Sequence, residues 1–171
     1  MLEIEVKIKA DNLASLRQNL LILGARLEKE RYAEANTLYD FRSGSLYQKR
    51  CALRLRAIGK KAFLAFKGTP LKSRRFKVRE EFETEVRDEK QIKKILRSLG
   101  LFPVFSYRKH RTVFRTNRLK ICLDETGAGN FCEFEGERSD IIKFAKKLGF
   151  SRADLIKLDY VQLLQRAEKK A

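Results

Sequence analysis

Between Met1 and Lys9 the chain alternates: Leu2, Ile4, Val6 and Ile8 are apolar, and Glu3, Glu5 and Lys7 stand between them. A period of two is that of a β-strand, so Met1–Lys9 is expected to be a strand that gathers its charges on one face. The same spacing returns at Arg54 and Arg56 in Ala-Leu-Arg-Leu-Arg, and in the longer run Arg79, Glu81, Glu83, Glu85. Lys109 with Arg111 and Glu133 with Glu135 repeat it, and Lys120 with Asp124, four apart, keeps the same parity. One such pair is most simply the solvated, salt-bridged face of an open sheet, at odds of about three to one. Six of them at successive strands point instead to charged faces that look at one another across a closed sheet.

The rest of the chain supplies the matching elements. Asp11 or Asn12 can cap a helix carrying Leu13, Leu16, Leu20 and Leu23, which Gly24 stops. Ala25 to Tyr32 and Thr37 to Phe41 read as two extended stretches, with a turn at Ser43-Gly44-Ser45. Ala52 to Ile58 and Ala62 to Lys67 form a hairpin about Gly59-Lys60-Lys61. Gly68 to Arg75 has no periodicity and is expected to be a mobile basic loop. Phe76 to Val86 is a long strand, and Asp88 caps a helix with Ile92, Ile95, Leu96 and Leu99 inward, stopped by Gly100. Strands follow at Phe105 to Phe114, Leu119 to Asp124 and Asn130 to Gly136, with turns at Asn117-Arg118 and Thr126 to Gly129. A third helix runs from Ser139 to Gly149 and a fourth from Ala153 to Glu168, after which the terminus frays. Strand, helix, strand occurs once in each half, ending in Leu23-Gly24 and again in Leu99-Gly100. The expected fold is therefore α+β: one domain over residues 1–171, a closed eight-stranded barrel with its charges inside and its helices packed outside.

Composition narrows the function. The 171 residues are 43% hydrophobic, enough for a real core and too many for a disordered chain. No apolar run reaches the length of a membrane span, and the alternating N-terminal stretch is unlike a signal peptide, so a cytoplasmic location is expected. Cys51, Cys122 and Cys132 have neither metal-ligand spacing nor an even count, and are expected to be free thiols. The lone histidine, His110, lies on the opposite strand face from Lys109 and Arg111, so it is a poor candidate for a catalytic base. The net charge of +17 fits either a basic surface for nucleic acid or a site for a polyanion.

The placement of the acids separates these two. Lys7, Arg54, Arg56, Lys67, Arg79, Lys109, Arg111 and Lys120 on inward faces suit a triphosphate, whose oxygens take forked contacts from arginine and point-charge contacts from lysine. Glu3, Glu5, Glu133 and Glu135 would repel that phosphate unless a divalent metal lay between them, and carboxylate with phosphate oxygen is the usual setting of Mg²⁺ or Mn²⁺. A nucleic-acid groove has no such need for paired glutamates.

Glu3-x-Glu5-x-Lys7, Leu53-Arg54-Leu55-Arg56, Phe66-Lys67-Gly68, the acidic strand Glu81 to Glu85, Lys109-x-Arg111 and Phe131-Cys132-Glu133-Phe134-Glu135 occur in an order that resembles the CYTH superfamily, the triphosphate tunnel metalloenzymes. That resemblance spans essentially the whole chain. It implies an eight-stranded antiparallel tunnel, two divalent ions, and a triphosphate held by Lys7, Arg54, Arg56, Lys67, Arg79, Lys109, Arg111 and Lys120. Glu3, Glu5, Asp124, Glu133 and Glu135 are the implied metal ligands. Asp124-Glu125-Thr126, Gly129-Asn130-Phe131 and Asp159-Tyr160-Val161 are most similar to class IV adenylyl cyclase-type sequences. The implied reactions are cyclisation of ATP to cyclic AMP and pyrophosphate, or hydrolysis of an inorganic or organic triphosphate such as thiamine triphosphate. Lys7 is a candidate proton acceptor if neighbouring cations depress its pKa. A nucleic-acid-binding protein and a noncatalytic polyphosphate binder remain as alternatives, and a homodimer remains open.

Overall fold

The structure, a computed structural model, describes residues 2–169. Met1, at the start of the first expected strand, and Lys170 and Ala171, in the expected frayed end, lie outside the described residues. The elements are β1 (Leu2–Lys9), α1 (Leu13–Ile22), β2 (Arg26–Phe41), α2 (Ser45–Gln48), β3 (Ala52–Ile58), β4 (Lys61–Lys67), β5 (Lys77–Val86), α3 (Glu89–Ser98), β6 (Leu101–Arg115), β7 (Leu119–Thr126), β8 (Gly129–Gly136), α4 (Arg138–Lys147) and α5 (Tyr160–Glu168). The eight strands hydrogen-bond in the order β1-β5-β4-β3-β2-β6-β7-β8 and close on themselves, which makes the fold an α+β antiparallel barrel. No helix among the described residues is long and apolar enough to cross a membrane.

The chain divides into two compact units. One contains residues 3–32, 72–78 and 109–169. Its core is built from the apolar parity of the strands: Val6 and Ile8 of β1, Phe114 of β6, Leu119, Ile121 and Leu123 of β7, Cys132 and Phe134 of β8. Leu16 and Leu20 of α1 and Ile141 and Ala145 of α4 cover that face. Side chains alternate across a strand, so Glu5, Lys7, Lys120, Asp124, Glu133 and Glu135 are left on the face away from these helices. The inverted arrangement expected from the sequence is thus present here. The other unit contains residues 33–71 and 79–108, with a core of Tyr39, Leu55, Ala62, Leu96 and Leu101.

Local signals account for most boundaries. Asn12 caps α1 by accepting from the Ser15 amide at 2.9 Å, and Gly24 ends it at φ +82°. Asp88 caps α3 by accepting from the Lys90 and Gln91 amides. Ile58 pairs with Lys61, so the hairpin turns on only two residues, Gly59 (φ +57°) and Lys60.

Four expectations are corrected. The two extended stretches after α1 are one strand, β2: Ala35 and Asn36, in the expected gap between them, pair with Ala57 and Arg56 of β3. β6 begins at Leu101, because Leu101 belongs to a core and Pro103 weakens the strand signal without ending the strand. The last helix starts only at Tyr160: Asp159 forms a capping box with Gln162, while the backbone of Ile156 is tied to that of Lys7 by bonds of 3.0 and 2.7 Å. On α3, Ile95 and Leu99 are exposed and Leu96 is the residue that is buried. The short helix α2 has no sequence counterpart among the expected elements; it is anchored by the Asp40 carboxylate, which accepts from the Leu46 and Tyr47 amides at 2.9 Å each.

Candidate active site

In the unit built on residues 3–32 and 109–169, strand register assembles the first charged cluster. Glu5 lies opposite Glu135 and Lys7 opposite Glu133 across β1 and β8. Arg111 lies opposite Asp124 across β6 and β7, and Lys120 opposite Glu135 across β7 and β8. Arg111 forks onto Asp124, with Nε donating to Oδ1 at 2.6 Å and Nη2 to Oδ2 at 2.5 Å, and Nη2 also donates to Glu133 at 2.7 Å. Lys7 donates to Glu5 at 3.2 Å and pairs with Glu133 at 2.9 Å. Lys109 reaches Asp124 at 3.2 Å, and Lys120 reaches Glu135 at 2.7 Å. Lys77 lies 3.0 Å from Asp159 and 3.7 Å from Glu5.

The start of α5 closes over this cluster. The Tyr160 hydroxyl donates to Asp124, and its ring has the Lys109 ammonium 4.4 Å and the Lys7 ammonium 4.8 Å from its centre. Asp124 is fully buried and takes donors from Arg111, Lys109 and Tyr160. Tyr160→Phe keeps the ring and removes one bond to this buried carboxylate, so it is expected to lower stability by about 1.5–3 kcal/mol. Urea unfolding measures this, and an unchanged midpoint would show that the hydroxyl is dispensable.

Electrostatics fixes the protonation of these groups. Burial works against the charge of Lys7, but Glu133 and Glu5 outweigh it and hold its pKa above the usual lysine value. The condition attached to a base role, depression of this pKa by neighbouring cations, is not met: the carboxylates of Glu133 and Glu5 are its direct partners and push it up. Burial likewise opposes ionisation of Glu133, and Lys7, Arg111 and Lys109 override it, holding the carboxylate well below its usual range.

The second cluster belongs to the unit with residues 33–71 and 79–108. Arg54 donates to Glu83 at 3.2 Å; Arg56 donates to Glu83 at 2.6 Å and to Glu34 at 3.4 Å. Glu81 accepts from Lys67 and, at 3.0 Å, from Arg79. Asn36, beside Glu34 on the same parity of β2, is buried.

The structure therefore places Lys7, Lys109, Arg111, Lys120, Glu5, Asp124, Glu133 and Glu135 in one cluster and Arg54, Arg56, Lys67 and Arg79 in another. Glu3 is half-buried, on the same parity of β1 as Glu5. Lys77, Glu34, Asn36, Asp159 and Tyr160 were not among the sequence candidates. Lys77, Glu34 and Asn36 share a parity with charged neighbours on their strands, which was the available signal. For Asp159 and Tyr160 the signal was the Asp-x-x-Gln box, obscured by reading one helix through it.

Among the described residues no three acidic, histidine or cysteine side chains converge as a preformed metal cage. The donor set still fits Mg²⁺ or Mn²⁺. Glu5 and Glu135 are cross-strand partners offering hard oxygens, and such ions are commonly held by one or two carboxylates with the remaining positions filled by phosphate and water. Thiol chemistry fits poorly. Burial pushes the Cys122 thiol up to about 12 and the Cys132 thiol well above its usual range, and all three cysteines are free. Iodoacetamide at about pH 8 is expected to label half-buried Cys51 alone in the native protein. Mass spectrometry reads this, and native labelling of Cys122 or Cys132 would contradict it.

The sequence pattern of the CYTH domain matches residues 1–158. A Methanocaldococcus jannaschii protein named "Putative adenylate cyclase" is 27% identical over 174 residues, covering 95% of this chain and 98% of its own. Among solved structures, a "putative adenylate cyclase" from Vibrio parahaemolyticus superposes with a TM-score of 0.87 at 21% identity, covering 96% of this chain and 98% of that one. A Hippeastrum "putative adenylyl cyclase" described as having a dominant triphosphatase activity gives a TM-score of 0.67 at 18% identity, covering 96% and 95%. The structural likenesses are to the fold.

Proposed function

The chain belongs to the CYTH domain family, and we propose that it is a divalent-metal-dependent enzyme that acts on a triphosphate, converting ATP to cyclic AMP and pyrophosphate. The observation that carries this is the buried ion-pair cluster Lys7–Glu133–Arg111–Asp124. Charges of both signs at this depth are costly to keep dry and rarely serve stability alone. They make sense as a site in which carboxylates hold the cations in place until phosphate oxygens take them over.

On this reading Lys7, Lys109, Arg111 and Lys120 are phosphate ligands, as are Arg54, Arg56, Lys67 and Arg79. Glu5 and Glu135, with Glu3, Glu133 and Asp124, would hold Mg²⁺ or Mn²⁺. The bound ion supplies Lewis acidity at a phosphate oxygen. The chain's own arginines supply forked donors that stabilise charge as it moves onto the leaving pyrophosphate. Lys7 contributes as a charged donor. In cyclisation the ribose 3′ oxygen forms a bond to the α-phosphorus, the bond from that phosphorus to the bridging oxygen breaks, and the hydroxyl proton passes to solvent. The Methanocaldococcus jannaschii relative named "Putative adenylate cyclase" supports this choice.

Triphosphate hydrolysis is the second reading, favoured by the activity named for the Hippeastrum protein. Incubation with ATP or inorganic triphosphate in Mg²⁺ and in Mn²⁺, with separation of products, distinguishes them. Cyclic AMP with pyrophosphate is the expected result. Orthophosphate from inorganic triphosphate, with no cyclic AMP from ATP, would replace the cyclase by a hydrolase.

A further inference from the structure

One buried polar side chain has no place in a site that binds only phosphate. Asn36 on β2 is 1% exposed, and neither its amide oxygen nor its amide nitrogen has a hydrogen-bond partner among the described residues. Buried amides are nearly always paired, so one left open on both atoms points to a missing ligand. Its neighbours define the surroundings. Asn36 lies opposite Arg56 across β2 and β3, and Arg56 lies opposite Phe63 across β3 and β4. The Arg56 guanidinium is 5.3 Å from the centre of the Phe63 ring. On the other side of β2, Ser106 of β6 donates to the Thr37 hydroxyl at 3.3 Å. Side chains alternate along both strands, so Asn36 and Tyr107 adjoin on the opposite face. Phe63 and Tyr107 are each half-buried, which leaves ring surface for a planar ligand. The Nε atoms of Arg54 and Arg56 are buried and unpartnered as well.

The chemistry of Asn36 excludes a bare anion as its partner. Its nitrogen could donate to phosphate, but its oxygen would face like charge. A ligand that satisfies both atoms must carry a donor and an acceptor side by side in one plane. An adenine edge does so, with its exocyclic amine next to a ring nitrogen, and asparagine reads that edge with two parallel bonds. Guanidinium and aromatic faces are the usual stacking partners of such a ring. We propose that Asn36, with Arg56, Phe63 and Tyr107, forms a nucleobase subsite that reads the amino-bearing edge of adenine and so selects a nucleoside triphosphate over the bare tail. This rests on the reading of the charged clusters as a triphosphate site.

The test uses the full chain in Mg²⁺ and three non-reacting probes: α,β-methylene ATP, its purine-riboside counterpart lacking the 6-amino group, and a bismethylene triphosphate. Dissociation constants are measured by calorimetry for the wild type and for Asn36→Ala. The wild type is expected to bind α,β-methylene ATP about tenfold or more tighter than the counterpart without the amine. Asn36→Ala should erase that difference and leave the bare tail's affinity within about twofold. The wild-type comparison stands even if the variant does not fold. A wild type that ignores the amine, or a variant that weakens all three probes equally, overturns the subsite while leaving the tail site intact. Failure of all three probes to bind would overturn the triphosphate reading and the subsite with it.

Discussion

Arg111→Ala is expected to destabilise the protein by about 3–5 kcal/mol, the usual result of removing one partner from a buried ion pair. The side chain is 7% exposed and bridges two buried carboxylates, Asp124 and Glu133. Alanine would leave Asp124 to Lys109 and Tyr160, and Glu133 to Lys7, with no donor replacing the fork. Burial opposes the Arg111 charge, yet Asp124, Cys122 and Glu133 hold its pKa well above even the ordinary arginine value, so the guanidinium is charged at any pH where the protein folds. Arg111→Lys restores the charge without the forked geometry and should recover only part of the loss. Urea unfolding of the three proteins reads the effect as a shift in midpoint at constant slope. An alanine variant within about 1 kcal/mol of wild type would mean that water already solvates this cluster.

The second large effect is on turnover. Glu5→Ala and Glu135→Ala are each expected to lower kcat by about a hundredfold or more in Mg²⁺ and in Mn²⁺, because each removes a candidate ligand of the metal. Stability should change far less than in Arg111→Ala. Glu135 and its partner Lys120 are only about two-thirds buried. Without Glu5, Lys7 keeps Glu133 and Lys77 keeps Asp159. Near wild-type turnover in either variant would remove the proposed metal end, and unfolding of both would move these glutamates from chemistry to structure.

How much of this was legible in the sequence depends on the range of the interaction. The parity of Glu5 and Lys7, of Lys120 and Asp124, and of Glu133 and Glu135 is a property of one strand, and it announced the charged face. The caps Asn12 and Asp88 and the stop at Gly24 are equally local. Register between strands decides what each charge meets, and no single strand carries it. Thus Asp124, a metal candidate by sequence, takes its hydrogen bonds from Arg111, Lys109 and Tyr160. Lys7 gained carboxylates where cations had been considered. Tyr160 was hidden because a helical pattern of leucines and cations masked the cap at Asp159, and Asn36, whose one signal was the parity it shares with Glu34, was hidden because residues 33–36 were read as a break between two strands.

The central claim is that this chain acts on a triphosphate with the help of a divalent ion. Turnover of ATP and of inorganic triphosphate should be followed in Mg²⁺, in Mn²⁺ and with excess chelator, beside binding of duplex DNA and single-stranded RNA across a range of salt. The account predicts turnover of at least one triphosphate that chelator abolishes. No turnover with either metal, together with nucleic-acid binding that ignores chelator and falls steeply with salt, would contradict it.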